Sequence, residues 1–150
     1  MEIKKVDSRD LKKIVNLEQK IFKNNAFSED LIEKLMKNNV FFLKLEIGKV
    51  KRQIIGFIIG IKDQKDRINI INFLIKPKFQ NKGYGSYLLQ KALEKAKTLK
   101  EIKKIVLNVQ ISNSTAIKLY EKFNFKRDPT ILKNYYQSGE SAYLYRLLIN

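Results

Sequence analysis

Lys76-Pro77-Lys78-Phe79-Gln80-Asn81-Lys82-Gly83-Tyr84-Gly85-Ser86 joins an Ile- and Phe-rich run to a stretch whose apolar residues recur at helical spacing. Pro77 ends the strand, and Tyr84, Leu88, Leu89, Ala92, Leu93 and Ala96 then mark the buried side of a helix running to about Leu99. Two glycines sit where that helix begins. Glycine lets a ligand come close to the main chain, and the unpaired amides of a helix start carry partial positive charge, to which Lys76, Lys78 and Lys82 add whole charges. A phosphate or pyrophosphate suits these features, although a tight strand-to-helix turn without a ligand would use the same glycines. The stretch lacks the Gly-x4-Gly-Lys-Ser/Thr of a P-loop, and Leu88 stands where a dinucleotide fingerprint needs its third glycine.

Outward from this turn the hydrophobic period assigns the other elements. Residues 3–6 form a short strand, after which Ser8 is expected to cap a helix bearing Leu11, Ile14, Val15, Leu17 and Ile21 on one side. Ser28 caps a second helix, with Glu29 and Asp30 in its first turn and Leu31, Ile32, Leu35 and Met36 as its apolar residues. Residues 40–47, 54–61 and 68–76 are strands linked by polar hairpin connections, and 105–110 is another. Ser112 is expected to cap a short helix ending near Phe123, and strands at 125–132 and 142–148 close the chain. This order suits a mixed sheet with helices on both faces. With no linker and no internal repeat, residues 1–150 read as a single domain.

Composition narrows the chemistry. Hydrophobic residues make up 44% of the 150, enough for a core at this length. Without cysteine or histidine, disulfides, thiolate nucleophiles, structural zinc sites and histidine triads are excluded, and no bound metal is expected. Proton chemistry is left to carboxylates, Tyr, Lys or water. The first residues lack the apolar core of a signal peptide and no run spans a membrane, so a cytoplasmic protein with no membrane association is expected. The net charge of +16 favours anionic partners and repels polycations such as polyamines and aminoglycosides. The cluster of Lys97, Lys100, Lys103 and Lys104 reads either as a solvated surface or as a contact for a ribosome or RNA.

The segment from Leu107 to Phe125, LNVQISNSTAIKLYEKFNF, carries the most specific signal. On a helix Asn113 and Tyr120 share a face, about 10.5 Å apart along the axis. A Tyr hydroxyl, with a pKa of about 10, can protonate a departing thiolate, whose own is about 8.5. A core aromatic and a helix-start asparagine would occupy the same positions.

Together these motifs resemble the GNAT superfamily of acetyl-CoA-dependent acyltransferases. Gln80-x-x-Gly83-x-Gly85 matches its Arg/Gln-x-x-Gly-x-Gly/Ala signature, and Ser-Asn-x-x-Ala-x-x-Leu-Tyr at 112–120 is similar to its protein N-terminal acetyltransferase branch, RimI-like and NatE-catalytic-subunit-like. The resemblance implies an α/β (α+β type) GNAT fold, with a central mixed, mostly antiparallel seven-stranded sheet and about four helices on both faces. It implies acetyl-CoA as co-substrate, its pyrophosphate on Gln80, Asn81, Lys82, Gly83, Tyr84, Gly85 and Ser86. Its pantetheine arm would then lie along Phe73, Leu74 and Ile75 beside Asn113, with Tyr120 as general acid by the sulfur. Phe22, Phe27, Tyr135 and Tyr136 are the implied walls of the peptide site.

One departure stands out. RimI-like enzymes carry Glu, and NatE-like enzymes His, where this chain has Asn108, which cannot act as a base; a water held by Asn108 or Asn72 is the expected route for the proton. An α-amine, with a pKa of about 7.7 to 8.0, is partly neutral at pH 7, whereas a lysine at about 10.4 costs on the order of 4.6 kcal/mol to deprotonate. The expected reaction is therefore direct acetyl transfer to the α-amine of protein N-termini in a ternary complex, by a monomer or weak homodimer. A lysine or small-amine acetyltransferase and a non-catalytic basic module binding CoA or RNA are the alternatives.

Overall fold

The expected succession of strands and helices is realised in the computed structural model, which describes residues 1–149. Strands β1 (Glu2–Lys5), β2 (Phe41–Ile47), β3 (Gln53–Gln64), β4 (Arg67–Ile75), β5 (Lys104–Gln110), β6 (Lys126–Leu132) and β7 (Ala142–Leu148) form one seven-stranded sheet in the order β1-β2-β3-β4-β5-β7-β6. Among the described residues only β4 and β5 pair in parallel. Helices α1 (Leu11–Phe22) and α2 (Glu29–Lys37) cover one face through Ile14, Val15, Leu17, Ile32 and Leu35, which pack on Phe57 and Ile59. Helix α3 (Tyr84–Lys97) covers the other through Leu88, Leu89, Ala92 and Ala96, and α4 (Ser114–Lys122) joins it there through Tyr120. The described residues contain no helix long and apolar enough to cross a membrane.

Two caps differ from expectation. Asp7, not Ser8, opens the first helical segment: its side chain accepts from the Arg9 amide, while Asp10 accepts from the Asp7 amide in a reciprocal capping box. An ionised carboxylate outcompetes the neighbouring hydroxyl for these amides. Asn113, not Ser112, caps α4, its Oδ1 accepting from the Ala116 amide at 3.2 Å. Ser28 caps α2 as expected. The start of α1 is also tied to the sheet, because the buried Lys44 Nζ donates to Asp10 at 2.9 Å. That pairing supplies the partner a buried ammonium requires.

The register of β4 positions the site. Ile59 faces Asn72 and Gly60 faces Ile70, so Ile71 has no partner on β3. Such a bulge bends the strand, and the extra residue exchanges the faces met by everything after it. Ile68 and Ile70 lie on the α3 side. Beyond the bulge, Phe73 and Ile75 take that side while Leu74 turns toward α1. Parallel pairing with β5 stops at the same place, Ile70 with Leu107 being the last partners. Residues 71–75 and 108–110 then diverge and open a wedge in the sheet, leaving main-chain groups on its two inner edges without a strand partner.

Candidate active site

The turn before α3 forms one wall of this wedge. Gly83 occupies the cap position with φ +88°, the left-handed region that glycine adopts without strain, and Asn81 precedes it at φ +61°. The amides of Tyr84, Gly85 and Ser86 belong to the first turn, where no carbonyl one turn back is available to accept them. Gln80 Nε2 donates to the Ile75 carbonyl at 2.9 Å and so pins the turn to the end of β4. A side chain at Gly85 would meet Leu119 at 3.3 Å, Ile75 at 3.7 Å and Phe73 at 3.8 Å; hydrogen alone leaves that space open.

A cavity of about 230 Å³ runs from this turn along β4 to α4. Of the residues expected to hold the coenzyme, Phe73, Leu74, Ile75, Gln80, Asn81, Gly83, Gly85, Ser86, Asn113 and Tyr120 line it, and Phe22 borders it as well. Lys82 and Tyr84, also expected at the coenzyme, belong to the same turn without lining the cavity. The Tyr84 ring stands edge-on to Phe79, centroids 6.2 Å apart, and Lys82 Nζ sits 5.9 Å from the same ring. Phe79 thus packs against both side chains.

Tyr120 is both a core residue and part of the cavity wall. Its ring is buried among Phe73, Phe125 and Tyr145, at centroid distances of 6.2, 5.8 and 6.4 Å, yet it lines the cavity. Burial, reinforced by Tyr136, pushes its hydroxyl far above the ordinary tyrosine value, so it stays protonated at working pH.

On the α1 side a second cavity, about 90 Å³, also touches Tyr120 and Phe73 and is bordered by Phe22, Phe27, Asn108 and Tyr136. It adjoins an open cleft of about 700 Å³ whose walls include Phe27, Leu31, Ile71, Asn108, Tyr135 and Tyr136, with no charged side chain among the described residues. Tyr135 and Tyr136 stand edge to face, 5.0 Å apart. The loop bearing them is latched over the wedge, because Asn25 Nδ2 donates to Ser138 Oγ at 3.2 Å and the Ser138 amide donates to Asn25 Oδ1 at 3.0 Å. Asn108 Nδ2 donates to the Tyr135 hydroxyl at 2.9 Å, while its Oδ1 is buried with no hydrogen-bond partner among the described residues.

This contact carries a first prediction. Tyr135→Phe strips the Asn108 amide of its acceptor, a loss of about 1 kcal/mol, and for the peptide acetyl transfer expected from the sequence should lower kcat/KM about fivefold. Acetyl-CoA affinity, measured by calorimetry, should be unchanged, because Tyr135 lies outside the cavity beside α3.

One residue of the second cavity escaped the sequence reading. Glu18 on α1 is 1% exposed; its carboxylate accepts from the Phe27 amide at 2.8 Å and from Asn72 Nδ2. Burial raises its pKa above the ordinary carboxylate value, opposed by those two hydrogen bonds. The signal was present: at i+4 from Ile14 and i+3 from Val15, Glu18 sits on the apolar stripe of α1, where an acidic residue is out of place.

Residues 11–125 match the model of the acetyltransferase (GNAT) family. The chain belongs to that family. Among GNAT proteins it is similar to an N-alpha-acetyltransferase of Sulfolobus acidocaldarius, 40% identical over 76 residues that make up 51% of this chain and 45% of that one. The chain thus spans about half the length of the curated relatives it matches. Its GNAT fold superposes on Ard1 from Thermoplasma volcanium with a TM-score of 0.87 at 23% identity, covering 99% and 97% of the two chains. It superposes on the ribosomal-protein-S18-alanine N-acetyltransferase of Escherichia coli with a TM-score of 0.80 at 25% identity, covering 99% and 94%.

Proposed function

We propose that this GNAT chain acts as a single domain that transfers acetyl from acetyl-CoA to the α-amine of protein N-termini, by direct attack in a ternary complex. The observation that carries the reading is the place of Tyr120, where a cavity lined by the α3 turn meets one opening into an uncharged cleft. A thioester running along 73–75 from a pyrophosphate at residues 80–86 would present its sulfur to this hydroxyl, and an extended N-terminus entering past Tyr135 and Tyr136 would bring its amine from the other side. A cleft without carboxylates has nothing to hold a second cationic amine, which favours a peptide over a polyamine. The name of the Sulfolobus relative agrees with an α-amine acceptor.

In the transfer, the amine nitrogen attacks the thioester carbon, the carbon–nitrogen bond forms and the carbon–sulfur bond breaks. Tyr120 gives its proton to the departing thiolate, and the proton left on the new amide nitrogen restores the hydroxyl. The activated thioester leaves the protein mainly positioning and proton transfer to supply.

The test is a set of peptides bearing one free α-amine and one lysine, incubated with acetyl-CoA and mapped by fragment mass spectrometry. Acetylation of the α-amine is expected, exceeding lysine by about 200- to 400-fold at pH 7 from the difference in amine pKa alone. Label on lysine alone would overturn the proposal.

A further inference from the structure

We propose that Glu18 of α1 is the proton acceptor of the transfer, taking the proton that the substrate ammonium must lose before it can attack. This rests on the N-acetyl transfer reading above and goes beyond it, since Asn108 stands where a base would be expected and cannot be one. The second cavity brings Glu18 together with Asn72, Asn108 and Tyr120. Its carboxylate is the single charged group lining that cavity among the described residues, and the other titratable groups facing it are Tyr120 from α4 and Tyr136 from the β6–β7 connection. Burial holds both phenols neutral throughout the working range. From β4 come Asn72 and Phe73, and from β5 Asn108, Val109 and Gln110, all uncharged.

The hydrogen bonds to Glu18 are those of a placed base. The Phe27 amide and Asn72 Nδ2 each give one bond to the carboxylate, fixing its orientation and leaving lone pairs for an incoming donor. Asn72 is fixed in turn, its Oδ1 accepting from the Phe73 amide at 2.9 Å. The unpartnered Asn108 Oδ1 points to the same conclusion, because a buried acceptor without a donor waits for one, and a substrate ammonium supplies it. The proton balance closes. The ammonium releases one proton to Glu18, which passes it to solvent as product leaves; the second proton lost from nitrogen replaces the one Tyr120 gave to sulfur.

The experiment is the pH profile of kcat/KM for the wild type and Glu18→Gln on a peptide with a free α-amine. Wild-type activity should fall as pH drops through the raised Glu18 pKa. The variant should be about tenfold slower at pH 7, the reciprocal of the neutral amine fraction, with the deficit shrinking above about pH 8 as the amine deprotonates unaided. Acetyl-CoA affinity should be unchanged. A wild-type rate, or a deficit equal at every pH, would overturn the assignment, the second marking Glu18 as structural only. Since glutamine sets a donor against Asn72 Nδ2, carbon-13 NMR titration of the wild-type Glu18 carboxyl gives an independent readout. It must titrate above the ordinary glutamate range and respond to peptide, and a carboxyl that does neither refutes the role even if the variant fails to fold. Should the wild type acetylate only lysine, the α-amine reading fails, and the same profile on that amine still decides Glu18.

Discussion

Tyr120→Phe is expected to lower kcat about 100-fold, the usual contribution of a positioned general acid, while acetyl-CoA affinity stays within about twofold of wild type. The ring is held on three sides by Phe73, Phe125 and Tyr145, so phenylalanine keeps the packing and removes only the hydroxyl. Because burial pushes the phenol well above its ordinary value, the acid stays loaded, and the wild-type rate should show no alkaline decline from Tyr120 below about pH 10. Single-turnover kinetics separate this from slow product release. A variant that turns over at the wild-type rate would remove Tyr120 from the chemistry and leave it a core aromatic.

Gly85→Val is expected to weaken acetyl-CoA binding by about 5- to 150-fold, since overpacking of this kind costs roughly 1 to 3 kcal/mol. The added atoms would meet Leu119, Ile75 and Phe73, which line the larger cavity, so the side chain would occupy the room proposed for the pantetheine arm. The effect should appear in calorimetry with acetyl-CoA while far-ultraviolet circular dichroism remains native, because Gly85 sits in the first turn of α3 at a φ open to any residue. Wild-type affinity in this variant would place the coenzyme elsewhere.

The comparison with Glu18→Gln separates two halves of the reaction. Loss of the acid should be felt at every pH, whereas loss of the acceptor should fade as the amine's own ionisation takes over. Variants of the coenzyme turn should change affinity without changing the shape of either profile.

Much of this molecule was legible before folding was considered. Hydrophobic period alone set the succession of strands and helices, because each amphipathic segment must bury one face whatever it packs against. The glycines at 83 and 85 and the spacing of Asn113 and Tyr120 were readable because a turn and a helix are local geometries. Long-range pairing decided the rest. No local signal places β7 between β5 and β6, and a strict alternation along β4 would have put Asn72 on the same face as Ile68. The unpaired Ile71 reverses that, turning Asn72 toward Glu18 and parting β4 from β5. The packing of the Lys82 and Tyr84 side chains on Phe79 was not legible for the same reason, since proximity in sequence to a glycine turn does not say which way a side chain packs. A charge on the apolar stripe of α1 could be seen in the sequence. That it ends beside Tyr120 and Asn108 depends on contacts between residues far apart in the chain, which only the assembled sheet brings about.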